Sequence, residues 1–285
     1  MTASAPVSDL AGWPRSEFSW GGRTHAYYER GQGPGVVLLP ELPGITPELL
    51  GLADHLADSG FTVVVPSLFG TPGNPAFGAR AALVITRVCI TREFHAFATN
   101  ARRPVTDYLR ALARSLAERT PGPGVGIVGL CFTGGFALAA AVDDSVLAAV
   151  MGEPSLPLPL SAAHRADPGL SEQELRDVQV RTRDDGLCVL GLRFTEDRLV
   201  PGERFETLRD RLGDSFAYVE LDSRPGNAAG FAPRSHSVLT HEVREIPGHP
   251  ALEARRKVVA FLRRRLVEGD GAREPGSVPG PVPGP

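Results

Sequence analysis

One cysteine stands where an apolar run gives way to a glycine-rich, helix-forming run. The stretch GIVGLCFTGGFALAAA covers residues 126–141 and has Cys131 at its corner. In an open parallel sheet, reactive side chains collect at the carboxyl ends of the strands. Small residues such as Gly129 and Gly134 let a strand and a helix approach closely around a nucleophile held in a strained turn. We therefore interpret Cys131 as a candidate nucleophile, with the backbone N–H of Phe132 as one half of an oxyanion hole.

Two other interpretations of this cysteine are open. A free cysteine is usually a small buried hydrophobe, and this is how we interpret Cys89 and Cys188. The corner could also be a tight phosphate-binding turn, but it lacks the G-x-G-x-x-G and GK[ST] spacings. The glycines and the predicted strand and helix around Cys131 distinguish it from the other two cysteines.

A nucleophile of this kind needs a base and a group that orients the base. Asp197, in the stretch LRFTEDRLVP, follows a predicted strand and is the candidate acid, whereas its neighbour Glu196 is expected to face solvent. Among the seven histidines, His236 and His241 lie between the last clear strand and the last helix, and we prefer His236. Asp197 could instead be a turn or N-cap residue. The chain order Cys131, Asp197, His236 is nevertheless the order of a nucleophile, acid and histidine in such a sheet.

A carboxylate and a backbone amide follow the first buried strand. The stretch VVLLPELPG places Glu41 and Leu42 directly after that strand. We expect the Leu42 N–H to form the second half of the oxyanion hole. Glu41 could accept the thiol proton of a nearby cysteine, and the alternative is a solvated glutamate beside a helix.

The elements that must position these residues alternate along the chain. Continuous apolar strands such as GVVLLP and VGIVGL are separated by amphipathic helices, which predicts an α/β fold with a mainly parallel sheet covered on both faces. Gly21-Gly22 marks an antiparallel hairpin at the N-terminal edge. We expect a flexible arm over residues 1–15, a single α/β-hydrolase domain over 16–268 and a Pro/Gly-rich disordered tail over 269–285.

Composition excludes several functional classes. The formal net charge is −3 and 42% of the 285 residues are hydrophobic, so the chain has a core but no electrostatic footprint for nucleic acid. Three cysteines fit a reducing compartment, and neither a secretory signal nor a membrane-spanning run is evident. We expect a cytoplasmic monomer or homodimer that acts on a small molecule, with no nucleic-acid or membrane partner.

Together these residues resemble the dienelactone hydrolase family of α/β-hydrolases over about residues 36–266. The segments that carry the resemblance are LPELPGITPELL with Glu41, GLCFTGGFALA with Cys131, RFTEDRLVP with Asp197 and SHSV with His236. The resemblance implies that Cys131 attacks a lactone or similar activated ester, with His236 as general base and then acid. It implies that Glu41 takes the thiol proton, and that no metal or organic cofactor takes part.

Two positions depart from the family pattern. Thr133 stands where many members have glycine, and Thr240 stands where members that cleave dienelactone carry an arginine for the substrate carboxylate. The resemblance implies a second arginine from the long segment after the strand VVVP, where the candidates are Arg80, Arg87 and Arg92. Ser237 is a further candidate for substrate binding. A related lactone, enol ester or thioester is as consistent with the sequence as dienelactone itself.

Three functions are consistent with these features. The first is a hydrolase of lactones or activated small esters that works through an acyl-cysteine. The second is a thioesterase or acyltransferase that uses the same cysteine. The third is a non-catalytic α/β-hydrolase domain used for binding, which has no need for the set Cys131, Asp197 and His236.

Overall fold

A computed structural model describes residues 4–75, 98–101 and 104–268, and its centre is one eight-stranded sheet. The strand order is β1-β2-β4-β3-β5-β6-β7-β8. The first two strands form an antiparallel hairpin, β2 is antiparallel to β4, and the remaining pairings are parallel. The strands are β1 (Arg15–Trp20), β2 (Arg23–Arg30), β3 (Gly35–Leu39), β4 (Thr62–Pro66), β5 (Val125–Leu130), β6 (Val146–Gly152), β7 (Cys188–Phe194) and β8 (Phe216–Leu221).

Seven α-helices lie in the described residues and connect these strands. They are α1 (Pro47–Asp58), α2 (Pro104–Ala117), α3 (Gly134–Ala140), α4 (Ala162–Ala166), α5 (Glu172–Asp184), α6 (Gly202–Leu212) and α7 (Pro250–Arg263). A 3₁₀ turn at Cys131–Thr133 joins β5 to α3, and a π turn at Arg264–Glu268 extends α7. The predicted α/β fold, with its parallel sheet and N-terminal hairpin, is confirmed.

Both faces of the sheet are covered, because alternate residues of each strand point to opposite sides. In β3, Val36 and Leu38 pack with the apolar residues of α1 and α7. Val37 and Leu39 pack with α2, α3, α5 and α6 on the other side. This explains why the strand reads as a continuous apolar run rather than as an alternation.

Part of the segment for which the sequence predicts a flexible arm is packed. Trp13 is only 3% exposed, and its Nε1 donates to Asp54 Oδ1 at 3.0 Å. The Ser8 amide donates to the carbonyl of Pro47 at the start of α1. Burial of the large indole ring against the apolar side of α1 stabilises the packed conformation of this segment. The tail over 269–285 lies outside the described residues, and the domain boundaries stay a prediction.

A capping box begins α5, where Ser171 and Glu174 form the sequence pattern S-x-x-E. The Ser171 amide donates to Glu174 Oε2, and the Glu174 amide donates to Ser171 Oγ. Glu174 also receives a 2.7 Å hydrogen bond from Arg110 Nη2 of α2, so this buried carboxylate is ion-paired. In the described ranges, we find no helix with the length and hydropathy that crossing a membrane requires.

Candidate active site

The candidate residues converge at the carboxyl edge of the sheet. Glu41 follows β3, Cys131 follows β5, Asp197 follows β7, and His236 lies in the long connection between β8 and α7. Parallel strands bring these four chain segments to one edge although up to 195 positions separate them. Three of the candidate substrate-binding residues lie outside the described residues: Arg80, Arg87 and Arg92.

Cys131 occupies a strained turn. Its φ is +49°, which is a left-handed conformation that costs a non-glycine residue about 1–3 kcal/mol. A Cβ on Gly129 would lie 2.4 Å from the Thr133 carbonyl oxygen, and one on Gly134 would lie 2.8 Å from Pro154 Cα. Gly129 is therefore needed for the close approach of β5 and α3, and Gly134 for the close approach of α3 and the loop after β6. The turn leaves Cys131 partly exposed at the end of β5.

Thr133 connects the turn to the neighbouring strand. Its Oγ1 accepts a hydrogen bond from the Leu130 amide at 3.0 Å. The nearest acceptors for its single hydroxyl hydrogen are the carbonyl oxygens of Leu130 at 3.0 Å and of Pro40 at 3.2 Å. The side chain is fully buried. The hydroxyl thus fixes the turn at the end of β5 and lies within hydrogen-bond reach of the end of β3.

The thiol of Cys131 contacts a serine that the sequence analysis did not single out. Ser155 Oγ lies 3.5 Å from Cys131 Sγ, and the Ser155 amide donates to the Cys131 carbonyl at 3.0 Å. Ser155 is buried in the loop after β6, within a stretch where the sequence shows no periodic pattern. No motif marks this residue, because its role arises only when β6 lies beside β5.

A fully buried arginine holds that loop in place. Arg204 projects from α6 and donates hydrogen bonds to backbone carbonyls of this loop. Charged donors of this kind form the stronger class of hydrogen bonds. The acceptors are the carbonyl oxygens of Pro154, Pro157, His164 and Asp167.

Asp197 and His236 form a direct hydrogen bond. The distance from Asp197 Oδ2 to His236 Nδ1 is 2.5 Å, and Asp197 Oδ1 accepts a second hydrogen bond from the Leu199 amide at 2.9 Å. Asp197 is 6% exposed, so water competes little for these bonds. The Leu199 amide orients the Asp197 carboxylate, and the carboxylate orients the imidazole of His236.

The charges around His236 favour its imidazolium form. Burial by itself disfavours that form, but the negative charge of Cys131 and the hydrogen bond and charge of Asp197 outweigh it and raise the pKa of His236 well above its ordinary value. A hydrogen bond between the imidazole and the Cys131 side chain adds to this rise. Nε2, the ring nitrogen opposite the Asp197 bond, has no other hydrogen-bond partner in the described residues.

Glu41 lies behind the histidine-bearing segment and is 3% exposed. Ser237 Oγ donates to Glu41 Oε2 at 2.6 Å, and Thr240 Oγ1 donates to Glu41 Oε1 at 2.5 Å. Ser237 was expected to bind substrate, but here its hydroxyl hydrogen is engaged by Glu41. The two hydroxyl donors anchor the segment that carries His236.

Leu42 lies in a tight turn that begins at Glu41. The Gly44 amide donates to the Glu41 carbonyl at 2.8 Å and closes the turn. Gly44 has a φ of +140°, and a Cβ there would lie 2.5 Å from the Phe69 carbonyl oxygen. The backbone around Leu42 is therefore fixed. That its amide and the Phe132 amide converge on an oxyanion stays a prediction.

A further buried carboxyl adjoins these groups, and the sequence analysis did not identify it. Glu153 follows β6, has a φ of +38° and is fully buried. Its Oε2 accepts a 3.2 Å hydrogen bond from the Val238 amide, and its Oε1 has no partner in the described residues. Burial raises the pKa of Glu153 well above its ordinary value, and the charges of Glu41 and Cys131 add to this effect while His236 opposes it. The feature of the sequence that marks Glu153 is its position, because a glutamate directly follows the apolar strand VLAAVMG.

The other candidate histidine and cysteine lie elsewhere. His241 Nδ1 lies 3.6 Å from Glu48 Oε1, on the side of α1. Cys188 is the first residue of β7, at the opposite end from Asp197. Cys89 lies outside the described residues.

A family model described as the dienelactone hydrolase family matches residues 23–264. The chain belongs to the dienelactone hydrolase family. It is therefore a hydrolase of a family that acts on small-molecule substrates. A curated member, carboxymethylenebutenolidase of Rhodococcus opacus, is 31% identical to it over 253 residues, which is 86% of each chain.

Solved structures of the dienelactone hydrolase family share the fold. A dienelactone hydrolase from Klebsiella pneumoniae aligns with a TM-score of 0.60 at 20% identity and covers 88% of this chain and 98% of its own. A dienelactone hydrolase from Anabaena variabilis aligns with a TM-score of 0.57 at 16% identity and covers 89% and 98% of the two chains. At these identities the alignments show a shared fold.

In this member of the dienelactone hydrolase family, Thr240 occupies the position for which the resemblance implies an arginine. Thr240 is fully buried and bonded to Glu41. No cation for a substrate carboxylate is therefore supplied from this position.

Proposed function

We propose that this chain hydrolyses a lactone or an activated small ester through a covalent acyl-Cys131 intermediate. The observation that carries the proposal is the strained turn of Cys131, whose charge is coupled to a His236 that is hydrogen-bonded to Asp197. A thiol held at a strand end beside an oriented imidazole has the arrangement that nucleophilic catalysis needs.

In the proposed first step, the thiol proton of Cys131 moves to His236 Nε2. Cys131 Sγ then forms a bond to the substrate carbonyl carbon, and the C=O π electrons move to oxygen. The amides of Leu42 and Phe132 donate to this oxyanion. When the oxyanion collapses, the ester C–O bond breaks and His236 returns its proton to the leaving oxygen.

In the proposed second step, water releases the acyl group. His236 Nε2 takes a proton from a water molecule, and the water oxygen bonds to the acyl carbon. Collapse of this second oxyanion breaks the C–S bond, and the products are a carboxylic acid and the free thiolate of Cys131. Asp197 stabilises the imidazolium and keeps Nε2 as the ring nitrogen that transfers protons.

Glu41 has two parts in this proposal. In the described state it accepts the Ser237 and Thr240 hydroxyls and so anchors the segment that carries His236. The family resemblance assigns the thiol proton to Glu41 instead of His236, and Glu41 becomes the alternative first acceptor of that proton once it releases one of the two hydroxyls. Ser155, which contacts the thiol directly, holds Sγ until then.

The substrate class follows from the relatives and from one departure. The name of the Rhodococcus opacus relative, carboxymethylenebutenolidase, supports an unsaturated lactone as substrate. Thr240 in place of arginine favours a lactone or enol ester without a carboxylate at that position. A cytoplasmic location stays a prediction from the sparse cysteines.

The test is turnover of a panel of lactones, enol lactones and aryl esters by the wild type, Cys131→Ala and the matched control Cys188→Ala. We expect Cys131→Ala to lose about 1,000-fold or more in kcat/KM on every substrate that is turned over. We expect Cys188→Ala to retain wild-type rates. Full activity of Cys131→Ala would reject the nucleophile, and an inactive wild type on the whole panel would reject the substrate class.

A further inference from the structure

Three carboxyl groups hold one short segment of chain. This segment runs from His236 to Thr240. Asp197 is hydrogen-bonded to the His236 imidazole, and Glu41 accepts hydrogen bonds from the hydroxyls of Ser237 and Thr240. Glu153, at the carboxyl end of β6, accepts the amide hydrogen of Val238. The roles of Asp197 and Glu41 follow from the proposed function, but nothing in that function uses Glu153.

We propose that Glu153 is an uncharged carboxylic acid in the resting protein and a positioning residue for His236, acting through the Val238 amide. Its effect on turnover rests on the proposed function of Cys131 and His236. The uncharged state of Glu153 does not rest on that function, because it follows from the surroundings of the carboxyl alone.

The first argument is the absence of a compensating cation. No arginine or lysine side chain in the described ranges forms an ion pair with Glu153, although the side chain is fully buried. The other buried glutamates are satisfied differently: Glu174 by Arg110, and Glu41 by two hydroxyl donors. A buried carboxylate with one amide donor and no cation is costly, and such a group normally takes up a proton.

The second argument is the set of charges that face the carboxyl. Cys131 and Glu41 are negative when ionised, and both disfavour a further negative charge on Glu153. The positive charge of His236 favours a negative charge on Glu153, but the His236 imidazole is already hydrogen-bonded to the Asp197 carboxylate. Burial and the two negative neighbours together raise the pKa of Glu153 well above its ordinary value.

The third argument concerns hydrogen bonding. In the neutral acid, Oε2 is the carbonyl oxygen that accepts from Val238, and Oε1 carries the proton. An Oε1–H is a donor, and no group of the described chain accepts from it. A water molecule or a substrate oxygen would satisfy this donor.

A neutral Glu153 has a consequence for the nucleophile. An uncharged Glu153 leaves one buried negative charge fewer near the sulfur of Cys131. A negative charge on Glu153 and one on Cys131 would repel each other. The coupling is reciprocal, so removal of the thiolate should allow Glu153 to lose its proton at a lower pH.

The free energy of unfolding should also depend on the protonation of Glu153. A carboxyl whose pKa is raised by folding contributes stability below its unfolded pKa of about 4.5, and that contribution is lost as pH rises toward the folded pKa. Glutamine is neutral at every pH and avoids this loss. The melting temperature of Glu153→Gln should therefore rise relative to wild type as pH increases above about 4.5.

The experiment compares the wild type with Glu153→Gln, Glu153→Ala and the matched control Glu174→Gln. Infrared difference spectra of wild type minus Glu153→Gln at neutral pH should contain the carbonyl band of a protonated carboxyl. Glu153→Gln should keep kcat within about threefold, because the amide oxygen still accepts from Val238, whereas Glu153→Ala should lose about 5- to 50-fold. Glu174→Gln should instead lower the melting temperature at neutral pH, because it removes an ion pair with Arg110.

Two results would overturn the proposal. One is a neutral-pH infrared spectrum of the wild type without a protonated-carboxyl band. The other is an activity loss in Glu153→Gln as large as in Glu153→Ala, which would mean that the negative charge is required. If Glu153→Gln does not fold, the band is titrated in wild type and Cys131→Ala, and it must vanish at lower pH in Cys131→Ala. An inactive wild type would reject the proposed function but leave the infrared and melting results decisive for Glu153.

Discussion

Asp197 and His236, 39 positions apart in the chain, are joined by a 2.5 Å hydrogen bond between Oδ2 and Nδ1. The bond fixes the tautomer that carries the proton on Nδ1 and leaves Nε2 for proton transfer. Because both residues lie at the carboxyl edge of the sheet near Cys131, the value of this bond can be measured through turnover.

Replacement of Asp197 by asparagine should remove the orienting charge with little change in shape. The asparagine amide can no longer stabilise an imidazolium, so we expect kcat to fall by about 100- to 10,000-fold while the fold persists. The measurement is steady-state kinetics on the best substrate of the panel. Glu196→Gln, at the exposed neighbouring position, is the matched control and should behave as wild type. A decrease of less than threefold in Asp197→Asn would contradict the role of Asp197.

The raised pKa of His236 predicts a pH dependence of stability. The imidazolium contributes stability that is fully present below the unfolded pKa of about 6.5 and is lost as pH rises through the higher folded pKa. Melting temperatures of wild type and His236→Gln should therefore converge as pH increases above about 6.5. Parallel curves across that range would show that folding does not change the protonation of His236.

Thr133 should matter through its hydroxyl and not through its shape. Thr133→Val keeps the β-branched form but leaves the Leu130 amide without an acceptor, which should lower the free energy of unfolding by about 1–3 kcal/mol. Thr133→Ser keeps the hydroxyl and should stay within about 1 kcal/mol of wild type. Urea denaturation measures both. Equal stability of the valine and serine variants would mean that the hydrogen bonds of the Thr133 hydroxyl contribute nothing.

Arg204 should stabilise the loop that carries Ser155. Arg204→Met retains most of the apolar stem but removes every hydrogen bond to the four carbonyls, so the free energy of unfolding should fall by at least about 2 kcal/mol. The control is Arg209→Met, at an exposed position of the same helix, which should change it by less than about 0.5 kcal/mol. Limited proteolysis should cut residues 154–167 faster in Arg204→Met. An unchanged rate of proteolysis would mean that Arg204 does not stabilise this loop.

Local patterns in the sequence were sufficient for the fold. The apolar strands, the glycine pair of the N-terminal hairpin and the capping box of α5 each carry their own signal within a few residues, and each appears in the structure. The chain order of Cys131, Asp197 and His236 could be predicted for the same reason. Each follows a recognisable element, and the carboxyl ends of parallel strands meet at one edge.

Contacts between distant segments could not be predicted in this way. Glu153, Ser155 and Arg204 act through partners on other elements, and no short motif marks them. The hydroxyl of Ser237 reaches a carboxylate 196 positions away, so its partner could not be read from its neighbours. The burial of Trp13 cannot be predicted from its neighbours in the sequence, because the helix it packs against, α1, lies in a different segment.

The acyl-enzyme of Cys131 is the most direct test of the account. The wild type is mixed with an acetate aryl ester, quenched in acid within the first turnover, and its peptides are examined by mass spectrometry. We predict one acetyl group on the peptide that contains Cys131, removable by hydroxylamine and absent in Cys131→Ala. Burst release of the phenol with Cys131 unmodified, or acetylation at another residue that turns over at the catalytic rate, would contradict the account.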